Sequence, residues 1–78
     1  MIVPLSSLKP GETGIIESLP GGRMLFLKLS SMGIEKNAKI KVIANYGRGP
    51  IIIEIDNIKM ALGRGICNKI WVKKIEEK

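Results

Sequence analysis

Between Gly49 and Gly63 the order of residues specifies a two-stranded hairpin in a single register. With Asp56 and Asn57 as a two-residue turn, Ile55 faces Ile58, Ile53 faces Met60 and Ile51 faces Leu62 on one side of the ribbon. The other side sets Ile52 against Ala61 and Glu54 against Lys59, the latter an expected cross-strand ion pair. A slip of one residue would bring charges into the apolar row, so the alternation itself selects this register. The row from Ile51 to Leu62 is therefore expected to be core.

The flanking segments supply further short elements. Met1 to Pro10, with Ile2, Val3, Leu5 and Leu8 between Pro4 and Pro10, reads as an extended arm that plugs apolar side chains onto the body. After a turn at Gly11 to Gly14, Thr13 to Leu19 carries the β-branched run of a first strand, ended by Pro20-Gly21-Gly22. Leu25, Leu29 and Met32 then recur at helical spacing, with Met24, Phe26 and Leu27 widening the apolar stripe. Gly33 closes this helix of about ten residues, which is too short to be stable without the strands. Lys39 to Ala44 alternates as a second strand, with Ile40, Val42 and Ala44 on one face. Asn45 to Pro50 is a loop into the hairpin, Gly63 to Asn68 a connector with room for one helical turn, and Ile70 to Lys74 a last strand. Residues 76 to 78 read as a frayed tail. Five short strands with one short α-helix after the first describe a mainly β, partly open small barrel in a single domain spanning 1–78.

Size and chemistry narrow the function. A chain of 78 residues buries roughly 60–65% of its unfolded surface, which leaves little material for a deep catalytic cleft. There is no histidine, and the single Cys67 excludes an internal disulfide. Neither a histidine-based acid–base site nor the usual zinc spacings can be built, so neither an enzyme nor a cofactor is expected. No signal-peptide pattern or membrane-spanning run is present, and a cytoplasmic location is expected. Met24, Met32 and Met60 fall on expected apolar faces, where packing outweighs a thioether metal site.

The formal net charge is +6, from 13 Lys and Arg against 7 Asp and Glu, dispersed along the chain. Such a surface favours acidic partners: nucleic acid, an anionic membrane face or an acidic protein patch. Trp71, Tyr46, Lys41, Arg48 and Lys73 are the residues a base-stacking surface would use, but only three aromatics exist, and the balance is against nucleic acid. The surface better suited to a partner is apolar with a charged rim: Ile52 and Ala61 beside Glu54 and Lys59, with Trp71 outward of Ile70 and Val72 and Tyr46 and Arg48 in the adjoining loop.

Several residues carry a resemblance. Leu5 and Leu8 before Gly11, Leu29 with Met32-Gly33-Ile34, Gly49-Pro50-Ile51, Ala61-Leu62-Gly63, and Ile70 with Val72 together resemble the FeoA family of ferrous-iron transport accessories over nearly the whole chain. The resemblance implies an SH3-like barrel with a helix after the first strand, no catalysis, and a partner, the FeoB-like membrane ferrous-iron transporter with its cytosolic GTP-binding domain. The same fold serves as the C-terminal module of iron-dependent repressors; here no DNA-reading helices precede it, which implies a stand-alone adaptor. Asn37 stands where the family often has Gly, and Asn tolerates a left-handed turn. Cys67 stands where Ala is common, consistent with burial. Two other readings stay open at this point: a small basic nucleic-acid-binding barrel, and a transition-metal-binding regulatory module with Cys67 and carboxylates at a homo-oligomer contact.

Overall fold

The computed structural model describes residues 1–76, so the expected tail beyond Glu76 lies outside the described residues. Six antiparallel strands form one sheet in the order β1-β6-β2-β3-β4-β5. The strands are β1 (Ile2–Pro4), β2 (Thr13–Ser18), β3 (Lys39–Ala44), β4 (Ile51–Ile55), β5 (Ile58–Leu62) and β6 (Trp71–Ile75). A helix α1 (Arg23–Ser31) follows β2, and a single helical turn α2 (Arg64–Cys67) follows β5. Neither end strand, β1 or β5, pairs with the other, so the SH3-like barrel is open at that seam. No helix among the described residues is long and apolar enough to cross a membrane.

The hairpin forms in the expected register, Ile51 opposite Leu62, Ile52 opposite Ala61, Ile53 opposite Met60, Glu54 opposite Lys59 and Ile55 opposite Ile58. Asp56 and Asn57 have φ of 51° and 67°, the pair of left-handed residues that a tight hairpin turn needs to match strand twist. Its inner row is not uniformly buried: Ile51, Ile53, Ile55 and Leu62 are core, Met60 is half-buried, and Ile58 is 62% exposed. Ile58 sits beside the turn on the end strand, where no neighbouring strand covers it. Glu54 and Lys59 face each other without forming an ion pair among the described residues; with Lys59 exposed, such a pair would gain little.

The N-terminal arm contributes a sixth strand. Ile2–Pro4 pairs with β6, Val3 opposite Val72, and a 3-10 turn at Leu5–Ser7 then drives Leu5 and Leu8 fully into the core. Pro4 is tolerated because β1 lies at the edge of the sheet. The core is filled by Ile16, Ile40, Val42, Ile51, Ile53 and Val72 from the strands, with Leu29, Ile34, Cys67 and Ile70 closing the ends. Ala44 leaves the inner row because a bulge shifts the β3 register between Val42 and Ala44.

Helix α1 ends as the sequence leads one to expect. Gly33 has φ of 84°, its N–H donates to the Ser30 carbonyl at 3.0 Å, and the Ile34 N–H donates to the Leu29 carbonyl at 2.9 Å. This paired closure satisfies two carbonyls and turns the chain so that Ile34 is buried. Asn37 adopts φ of 74°, the left-handed conformation its side chain was expected to tolerate.

Candidate functional site

Alternation along β4 places Ile52 and Glu54 on the outer face, and the hairpin turn brings Ala61 and Lys59 directly across from them. Ile52 and Glu54 are half-buried, while Lys59 and Ala61 are exposed. On the other flank β3 sets Lys41 against Glu54, so that one carboxylate lies between two lysines of neighbouring strands. Beside them an open depression of about 390 Å³ is lined by Thr13, Lys39, Lys41, Glu54, Asp56 and Asn57. Its walls are polar, and its charge is mixed.

Tyr46 and Arg48 are exposed in the loop that enters β4, Tyr46 at 84%. The loop is held from beneath by Asn45. Its amide nitrogen donates to the carbonyls of Ser6 at 3.0 Å and Leu8 at 2.8 Å, and its oxygen accepts from Arg64 at 2.7 Å and from the Gly47 N–H at 3.1 Å. Arg64 also donates to the Gly49 carbonyl at 3.1 Å. The loop therefore stands on a fixed base beside Ile52.

Trp71 does not join this group. It opens β6, opposite Ser18 at the end of β2, whereas Ile52 lies opposite Ala44 at the far end of β3, with β2 and β3 between the two strands. Trp71 is 42% exposed and belongs to the end of the sheet from which the chain enters α1.

Sequence reasoning missed the largest apolar exposure. Only Leu29 of α1 is fully buried, with Leu25 and the adjoining Met32 packed partly against the core, whereas Met24 is 82%, Phe26 50% and Leu27 51% exposed. The stripe expected to face the sheet thus wraps round to solvent. Angular arithmetic at about 100° per residue carries the signal: Leu25, Leu29 and Met32 share one face, while Leu27 points almost directly away from it.

Cys67 is fully enclosed, its thiol set 3.9 Å from the Leu62 carbonyl, and it presents nothing to a dimer contact. Burial pushes this thiol up from its ordinary 9.0 to about 11, against a smaller opposing effect of Arg64. Because the folded value lies above the unfolded one, the associated stability is fully present below about pH 9 and is lost as pH rises towards 11. At pH 8 the native thiol is expected to react with a thiol reagent at least roughly a hundredfold more slowly than the urea-unfolded chain. Equal rates would mean that α2 opens freely. Among the described residues no group of three or more His, Cys, Asp and Glu side chains is placed to share a metal ion.

Glu12 accepts from Lys74 and from the Lys9 N–H, chiefly the former, and these hold its carboxyl below the usual range. Its contribution is present above the unfolded carboxylate range and fades as pH falls through the lowered value. The pair is exposed and joins β6 to the turn before β2.

Residues 3–74 match the family model described as the FeoA domain. Over 73 residues the chain is 40% identical to the Methanocaldococcus jannaschii protein named "Putative Fe(2+) transport protein A", covering 94% of this chain and 88% of that one. The fold is similar to the crystal structure of an iron uptake regulatory protein (FeoA), with a TM-score of 0.91 at 39% identity, covering 96% of this chain and all of the other. It is also similar in fold to the solution structure of a FeoA protein from Chlorobium tepidum, with a TM-score of 0.86 at 22% identity, covering 97% of this chain and 73% of that one. A manganese-dependent transcriptional repressor contains the same fold, with a TM-score of 0.83 at 24% identity, covering 95% of this chain but 42% of the repressor.

Proposed function

Because the chain belongs to the FeoA family of small ferrous-iron transport accessories, we propose that it acts at the cytosolic face of a FeoB-like transporter, docking on the GTP-binding domain and regulating uptake. Family membership carries this reading. The molecule's own surface supports it: a half-buried Ile52 and exposed Ala61, flanked by Glu54, Lys59 and Lys41, have the composition of a small apolar centre with a charged rim. Tyr46 and Arg48 extend that surface, on a loop braced by Asn45 and Arg64. Tyr and Arg are residue types that concentrate binding energy at interfaces.

The test is capture of the full chain by the transporter's cytosolic domain at modest salt, with GTP analogue, with GDP and without nucleotide. Binding in at least one state is expected, and Ile52→Asp should weaken it at least about tenfold while leaving the fold intact, with a cooperative melt. Trp71→Ala reports whether the surface reaches across the sheet. No capture in any nucleotide state would overturn the reading. An Ile52→Asp variant that binds normally would move the surface elsewhere.

A further inference from the structure

The solvent side of α1 has no role in the docking surface above, and its composition is unusual for a nine-residue helix in so small a domain. Met24, Phe26 and Leu27 expose half or more of their surface, with Arg23 and Lys28 exposed among them. The helix contains no acidic residue, and neither cation has an ion-pair partner among the described residues. Glu35, beyond the last turn, accepts from the Ser30 hydroxyl at 2.9 Å. Trp71, half-exposed, opens β6 at the same end of the sheet.

We propose that this side of α1 is a ridge that seats the protein on an anionic lipid surface. Two observations favour a bilayer over a protein groove. First, the three apolar side chains do not form one line: Met24 and Leu27 lie together at i and i+3, but Phe26 stands about 100° from Leu27 on the other flank of the solvent half. A groove grips one line of anchors at i, i+3 and i+4, whereas the headgroup boundary accepts a broad ridge of any width. Second, the charge is of one sign: Arg23 and Lys28 on the helix and a net +6 over the chain complement the negative potential of an anionic leaflet. Phe, Leu and Met enter the acyl boundary while the cations stay among the headgroups, and no spanning helix is required. The proposal stands independently of transporter docking, because it uses none of the residues assigned to that surface.

The experiment is co-sedimentation of the full chain, at low salt, with vesicles of phosphatidylcholine alone and with vesicles containing one-third phosphatidylglycerol. The chain is expected to sediment only with the anionic vesicles, with a blue shift of Trp71 fluorescence. Met24→Ser with Leu27→Ser should reduce partitioning at least about tenfold, and Arg23→Ala with Lys28→Ala by roughly tenfold or more. All variants should keep the wild-type melt, because the substituted side chains face solvent. Absence of binding to anionic vesicles overturns the proposal. So does binding that the Met24 and Leu27 changes leave intact, which would reduce it to diffuse attraction by surface lysines. If those changes instead abolish capture by the transporter domain while vesicles are ignored, a protein covers α1 and the lipid assignment is wrong.

Discussion

Truncating Leu29 to alanine is expected to destabilise the protein by about 2–5 kcal/mol. Leu29 is fully buried and is the one residue of α1 that is. The helix has no side-chain cap at Gly22 and, at nine residues, is too short to persist without its packing. A domain of this size has a total stability on the order of 4–12 kcal/mol, so the loss is a large fraction of the whole. In a thermal melt it corresponds to a fall of roughly 10–30 °C. The matched control is Leu27→Ala, two positions earlier on the solvent side, expected to change stability by no more than about 0.5 kcal/mol. Similar losses in the two variants would show that α1 is rotated from the orientation described.

The second large effect is expected at Asn45. Its partners fix its orientation: two carbonyls on one side require the amide nitrogen, and two N–H donors on the other require the oxygen. Asn45→Ala leaves the Ser6 and Leu8 carbonyls and the Arg64 guanidinium without this partner, a loss of about 2–4 kcal/mol at roughly 1 kcal/mol per bond. Asn45→Asp is the sharper test. It keeps the acceptor towards Arg64 and adds charge to it, but turns a second oxygen towards two carbonyls. Urea unfolding should therefore show the aspartate to be no better than alanine. Rescue by aspartate would mean that the Arg64 contact alone holds the loop.

These two residues also mark how far local pattern could be read. The register and turn of the hairpin were legible because their information is local: a period of two, a turn dipeptide that accepts positive φ, and a charge row opposite an apolar one. Leu29 and the helix end at Gly33 were legible for the same reason, through period and turn chemistry. Asn45 was not, because nothing near it in sequence announces that Ser6, 39 residues earlier, lies within reach. Ile2–Pro4 carried a proline and only three residues, too little to read as a strand until β6 was there to pair with it. Ile58 fitted the inner row by alternation, but burial depends on what stands over a position, and nothing covers the end strand there. Of the candidate surface, Ile52, Glu54, Lys59 and Ala61 followed from register. The separation of Trp71 followed from strand order, which alternation within a strand does not encode.

That order makes the two ends of the chain depend on one strand. β6 lies between β1 and β2 and pairs with both, while β1 and β2 do not touch each other in the sheet. β6 is the only neighbour of β1 and one of the two neighbours of β2. The ladder from β2 through β5 pairs strands that follow one another in the chain. The pairings of β6 are instead long-range, made by a five-residue strand that lies between β1 and β2, and each closes a loop of more than fifty residues. One residue, Val72, stands opposite both Val3 and Ile16, so loosening β6 opens two ladders at once and leaves β1 with no partner in the sheet.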